Sequence, residues 1–269
     1  MNKKPLLVSI PHSGEKIVDE CAWLKDLDEV TLMYDVDRFV DQMYESVLSK
    51  YNIPKVVTEY HRYVVDCNRW PTDVDCDSVE GSEKPSGSHP TGLHWRKTTA
   101  GYILLKKPLS QNLHKDIIKK YYTDFFKAID SIYESFHQRR ENNIYHLDLH
   151  SMPSHGTTAH RDPGEDRVDI VIGNEKGRTA TAEWTEQVSA AYRHQGFHVR
   201  LNHPYTGGTI VEKYGCPQEG RQALMIELNR KLYMDEKTKK IIPDKAKAVK
   251  ERLNKAISEV YHHLPLAVE

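Results

Sequence analysis

The chain has 269 residues, with 38 Lys and Arg against 39 Asp and Glu for a formal net charge of −1. That length holds one large α/β domain or two small ones around a substantial core, and the near-neutral balance excludes an overall electrostatic footprint for nucleic acid or an anionic membrane. Four cysteines, Cys21, Cys67, Cys76 and Cys216, form no CxxC pair, which points to reduced thiols and a cytoplasmic location rather than a disulfide framework.

The first element is the apolar run Leu6–Ile10. Basic residues precede it, but five residues are too few for a signal h-region, and a run apolar throughout suits a strand covered on both faces. It ends in Pro11-His12-Ser13-Gly14, which presents His12 in a loop. Glu15 follows three residues later, a spacing that lets both side chains approach one ion; a solvated loop carboxylate is the plainer reading of Glu15. A helical region over 24–50 is interrupted at Tyr34-Asp35-Val36-Asp37, so Asp35 or Asp37 stands at a helix N-terminus, where one can cap and the other point into a site.

Residues 55–60 and 63–66 read as β segments. They carry Arg62 between them and Asn68 and Arg69 just beyond, two guanidinium forks suited to a carboxylate, against which stands a structural Arg–Asp pair with Asp66. Residues 72–92 hold no apolar period and read as a long loop or insertion. The stripe Leu113, Ile117, Ile118, Tyr121, Phe125, Ile129, Ile132, Phe136 predicts a core-packing helix over 112–139.

Next comes Tyr145-His146-Leu147-Asp148-Leu149-His150-Ser151-Met152-Pro153. Leu147 and Leu149 alternate with His146, Asp148 and His150, the period of a strand, and the run stops at a turn. Asp148 and His150 then lie on one face about 7 Å apart along the strand, at the edge where open α/β sheets bind ligands. His150 reads as a metal ligand or proton carrier oriented by Asp148, or as a buried hydrogen-bonded histidine. A polar loop over 151–165 contains His155, His160 and Arg161. An apolar strand over 167–174, a helix over 181–194 and a short strand over 196–202 follow, then His203-Pro204-Tyr205-Thr206-Gly207-Gly208, a strand over 223–230 containing Glu227, and a helix over 244–262. Strands and helices alternate, so a three-layer α/β/α sandwich in a single domain over 1–269 is expected. No segment is long enough to span a bilayer.

Six blocks in order carry a resemblance over nearly the whole length: Ser9-Ile10-Pro11-His12-Ser13-Gly14, Val65-Asp66-Cys67-Asn68-Arg69, Asp148-Leu149-His150-Ser151-Met152-Pro153, Val168-Asp169-Ile170-Val171-Ile172-Gly173, Asn202-His203-Pro204-Tyr205-Thr206-Gly207-Gly208 and the stretch Ile226 to Glu236. Together they resemble the N-formylglutamate amidohydrolase (deformylase) family. The resemblance implies a central mixed sheet of the zinc-carboxypeptidase, phosphorylase/hydrolase-like type, a divalent metal ion with zinc as the expected one, and hydrolysis of the formyl amide of a small-molecule substrate to formate and glutamate. It carries His12, Asp37 and His150 as metal ligands, Glu227 as general base, and Arg62, Asn68, Arg69 and Tyr205 as substrate-binding residues. Related carboxypeptidases use a Glu three residues after the first His, which is the spacing of Glu15. Thr206 stands where a basic residue is expected and Met225 where a Gln is usual. An amidase for another N-acyl amino acid or small peptide, and a non-catalytic ligand-binding relative, are the alternative readings.

Overall fold

The computed structural model describes residues 4–265. Six strands, β1 (Leu6–Ile10), β2 (Lys55–Val57), β3 (Ile144–Met152), β4 (Ile170–Gly173), β5 (Val199–Leu201) and β6 (Arg221–Asn229), form one mixed sheet in the spatial order β2-β1-β3-β6-β4-β5. The first four in that order are mutually parallel, β4 runs antiparallel to β6, and β5 parallel to β4. Parallel strands in the middle of a sheet are covered on both faces, and β1 is buried at every residue.

Side-chain alternation decides which residues meet which layer. Leu6, Val8, Ile10, Leu147, Leu149, Leu224, Ile226 and Leu228 face one core, closed by α2 (Val40–Lys50), α5 (Ala182–His194) and α7 (Pro243–His263). The opposite face meets α3 (Gln111–Ile117) and α4 (Thr123–Gln138), joined by a π turn, and α6 (Thr209–Tyr214). The stripe expected over 112–139 packs there as core through Ile117, Phe125, Ile129 and Phe136. The result is an α/β/α arrangement. His146, Asp148 and His150 share a face with Met225 and Glu227, because β3 and β6 pair with His150 opposite Glu227. Three parallel strands therefore deliver the ends of β1, β3 and β6 to one sheet edge.

Several elements differ from expectation. The segment Tyr63–Asp66 is not a strand: the chain turns at Arg62–Val64, with the Val64 N–H donating to the His61 carbonyl at 2.8 Å, and continues irregularly through Val65 and Asp66. The reason is chemical: Arg62 and Asp66 bond at 2.9 Å, whereas four residues of extended chain span about 13 Å. The short α1 (Glu29–Leu32) is capped by Asp28, and α2 starts after Phe39, which holds a positive φ of 70° and no capping side chain. Neither Asp35 nor Asp37 caps a helix. The helix α6 and a two-stranded ribbon, β7 (Met234–Asp235) with β8 (Lys240–Ile241), lie where the sequence offers too few residues to show a period. Residues 72–92 are a loop without helix or strand, pinned by the Asp75 carboxylate, which accepts from the Gly87 and His89 N–H groups. All four cysteines are free thiols. Among the described residues no helix is long and apolar enough to cross a membrane.

Candidate metal centre and active site

The loop after β1 places His12, and its carbonyl accepts the Asp37 N–H at 2.9 Å, so the backbone itself brings these two residues together. The C-terminal end of β3 adds His150. His12 Nδ1 and His150 Nδ1 lie 3.2 Å apart, His150 Nδ1 and Asp37 Oδ2 3.1 Å, and His12 Nδ1 and Asp37 Oδ2 3.5 Å. All three residues are buried. Donors bonded to one divalent ion at about 2.1 Å in near-tetrahedral geometry sit about 3.4 Å from each other, so this triangle fits such an ion.

The far side of each ligand is held. His12 Nε2 donates to Asp66 Oδ1 at 2.7 Å and His150 Nε2 to Asp148 Oδ2 at 2.7 Å. With Nε2 held by a carboxylate, each Nδ1 is the ring nitrogen turned to the centre of the triangle, where it offers a lone pair to an ion once it is deprotonated. Asp66 is fixed in turn by Arg62, by the Trp95 indole N–H and by the Asn68 N–H, each at 2.9 Å. Asp148 accepts from the Ser9 hydroxyl at 2.5 Å. Asp37 Oδ1 accepts from Arg230 Nη2 at 2.9 Å, leaving Oδ2 for the ion. Burial raises the Asp37 carboxyl, but bonds from His12 and His150 outweigh it and hold the group well below the usual carboxylate range. Burial likewise lowers His150, and the Asp148 and Asp37 carboxylates outweigh it, so the imidazole is pushed well above its ordinary value.

These positions open into a cavity of about 550 Å³. Glu227 lines it, 8% exposed, with Oε2 lacking any hydrogen-bond partner among the described residues. Burial pushes its carboxyl up to about 7, with His150 pulling the other way and Asp37 adding to the rise. A buried carboxylate without a partner is costly, and its value near neutrality suits a group that takes up and gives back a proton.

Of the residues expected to bind substrate, Asn68, Arg69 and Tyr205 line the cavity. Asn68 also works structurally: its Oδ1 accepts the Ile210 N–H at 3.0 Å, supplying from a distant loop the cap that Gly208 cannot give. A Cβ on Gly208 would stand 2.5 Å from Asn68 Nδ2, so glycine is required there. Arg69 donates to the Thr91 and Asn68 carbonyls, both at 2.9 Å, and has no carboxylate within 4.0 Å among the described residues, though its charge helps to hold the Asp66 carboxyl down. Arg62 borders the cavity, but its terminal nitrogens are taken by Asp66 and the Asp35 carbonyl; here the structure has the Arg–Asp pair rather than an open clamp. Glu15 lies elsewhere, paired with Arg38 at 2.7 Å, and Asp35 accepts from the Tyr63 hydroxyl and from Thr99. Thr206 donates to Glu175 at 3.0 Å and Met225 lines the cavity. Arg230, Trp95 and Ser9 were not singled out from sequence. Arg230 alone had a signal, since it closes β6 at the same sheet edge as Glu227.

Residues 4–234 match the family model described as N-formylglutamate amidohydrolase. The chain belongs to the N-formylglutamate amidohydrolase family. The N-formylglutamate deformylase of Pseudomonas putida is 27% identical over 241 residues, covering 86% of this chain and 82% of that protein. That of Pseudomonas aeruginosa is 29% identical over 249 residues, covering 86% and 83%. The crystal structure of N-formylglutamate amidohydrolase from Ralstonia eutropha JMP134 superposes with a TM-score of 0.86 at 26% identity, over 98% of this chain and 95% of that one. A gene product of Agrobacterium tumefaciens shares the fold at a TM-score of 0.69 and 19% identity, over 96% and 92% of the chains. The six sequence blocks thus lie in a member of the family they resemble.

Proposed function

We propose that the chain hydrolyses N-formyl-L-glutamate to formate and L-glutamate with a divalent metal ion, zinc in the first instance, held by His12, Asp37 and His150. One observation carries the reading: three buried donor atoms 3.1–3.5 Å apart share a cavity with a buried carboxylate whose Oε2 has no partner among the described residues. When bound, the ion supplies Lewis acidity towards water and the formyl carbonyl. Glu227 takes a proton from the attacking water and passes it to the departing amine nitrogen, as base and then acid. Asp66 and Asp148 keep both imidazoles in the ligating tautomer, and Arg230 keeps Oδ2 of Asp37 turned inward. Formyl is the smallest acyl group, so binding energy comes from the amino-acid half, for which Arg69, Asn68 and Tyr205 stand ready. Arg62 acts through Asp66.

The test is formate release from a panel of N-formyl amino acids by chelated protein, before and after adding back Zn²⁺, Mn²⁺, Co²⁺ or Fe²⁺. Metal-dependent release that is greatest from the glutamate derivative is expected, and equal release with and without metal overturns the metal reading. A second reading, hydrolysis of another N-acyl amino acid, is favoured by Thr206 and Met225 at the cavity; release of a larger acyl group in preference to formate would establish it.

A further inference from the structure

Four arginines border the cavity: Arg62, Arg69, Arg161 and Arg230. Two are committed, Arg62 to Asp66 at 2.9 Å and Arg230 to Asp37 at 2.9 Å. Arg69 and Arg161 have no carboxylate within 4.0 Å among the described residues, while the cavity's outer acids are already engaged, Glu175 with Arg178 at 2.6 Å and Asp73 with His89 at 3.6 Å. A guanidinium that borders a cavity without a carboxylate in bonding reach is a site for an anion. Position 206, where a basic residue was expected, holds a threonine hydrogen-bonded to Glu175, so it supplies no cation.

The loop fixes where Arg161 stands although the side chain itself is exposed. On one side His160 Nδ1 accepts the Thr157 N–H at 2.9 Å. On the other, Asp162 receives a bidentate pair from Arg167, both contacts 2.7 Å, with each side chain only 1% exposed. Thr157 also donates to the Thr99 carbonyl at 3.1 Å, tying this loop to another that borders the cavity. The backbone that carries Arg161 is thus anchored on both sides, which fixes the point from which its side chain reaches.

We infer that Arg161 grips the side-chain carboxylate of the substrate while Arg69 grips its α-carboxylate, so that Arg161 sets the preference for a dicarboxylic amino acid. This rests on the proposed reaction. The assignment follows from position. Arg69 is adjacent to Asn68, whose Nδ2 reaches His150 Nε2 at 3.4 Å, and the α-carboxylate sits one carbon from the scissile amide nitrogen. The side-chain carboxylate is two methylenes farther from that nitrogen, so it is assigned to Arg161, the other arginine of the cavity with no carboxylate within 4.0 Å among the described residues.

The experiment compares kcat/KM for N-formyl-L-glutamate and its neutral isostere N-formyl-L-glutamine in the metal-loaded wild type, Arg161→Ala, Arg161→Lys and Arg69→Ala. Arg161→Ala is expected to lose about 10- to 100-fold on the glutamate derivative and less than about 3-fold on the glutamine one, with partial recovery in Arg161→Lys. Arg69→Ala should lose on both. An unchanged glutamate-to-glutamine ratio in Arg161→Ala, or an equal loss on both substrates, overturns the inference. If the wild type releases no formate from either substrate, the reaction reading falls, and calorimetry with glutarate then decides the site: binding weakened by Arg161→Ala supports it, and binding unaltered overturns it.

Discussion

Replacing Glu227 by Gln is the perturbation with the clearest double signature. The two side chains have nearly the same shape, so the buried pocket stays filled while the proton acceptor is lost. Loss of a positioned base should lower kcat by about 10²- to 10⁴-fold, with substrate binding retained. Stability should move the other way. Burial pushes the folded-state carboxyl from 4.5 to about 7, so in the metal-free protein it resists ionising in a way the unfolded chain does not. The penalty is absent below pH 4.5, grows as pH rises to about 7, and is constant above that. A change of that size corresponds to at most ~3 kcal/mol. In a chain of this length that is about 5 °C in melting temperature. Glu227→Gln in chelated protein should therefore melt higher than wild type at pH 8 and about equally at pH 4.5. Differential scanning calorimetry across that range, with single-turnover formate release on the metal-loaded form, measures both. Activity within tenfold of wild type would remove Glu227 from the chemistry, and parallel melting curves at all pH values would refute the burial argument.

Asp66→Asn and Asp148→Asn should each weaken metal binding by about 10- to 100-fold, because the orienting acceptor on the far side of a histidine ligand is lost; competition with a chromogenic chelator reads this, and undiminished affinity in both would show that the imidazoles are held by packing alone. Metal affinity should also fall as pH is lowered. His150 holds its proton well above the ordinary range in the metal-free site, and binding displaces it, so affinity changes by about tenfold per pH unit per proton released; isothermal titration in buffers of different ionisation enthalpy counts that proton. Asp162→Ala leaves the buried Arg167 guanidinium unpaired and should destabilise the protein by ~3 kcal/mol, with a raised KM from the loosened 154–166 loop. A melting temperature within 1 or 2 °C (about 1 kcal/mol) of wild type would show that water replaces the carboxylate.

The parts of the fold legible in sequence are those where a period is long enough to see. β1 was readable as an apolar run, β3 from Leu147 and Leu149 against His146, Asp148 and His150, and the α3–α4 stripe from eight apolar positions. The segment at 63–66 misled because Tyr63, Val64 and Val65 are β-prone and buried, yet the Arg62–Asp66 bond bends the chain back on itself. The six-residue α6 gave no pattern, and its cap comes from Asn68, 142 residues away from Ile210. The same limit governs the site. His12 and His150 could be picked out because each closes an apolar strand. The engagement of Arg62 with Asp66, and the lack of a carboxylate beside Arg161 among the described residues, are set by neighbours that only tertiary structure brings together.

The nine-residue ladder joining β3 to β6 has a consequence for how this protein is assayed. His150 and Glu227 face each other because of one pairing register. Sliding β6 by a single position would put Ile226 or Leu228 opposite His150 and turn the carboxylate to the other face of the sheet. A misthreaded molecule would then be inert rather than partly active. Turnover per mole of protein, at saturating metal, thus counts correctly threaded molecules directly, and refolding yield can be followed by catalysis without a spectroscopic probe.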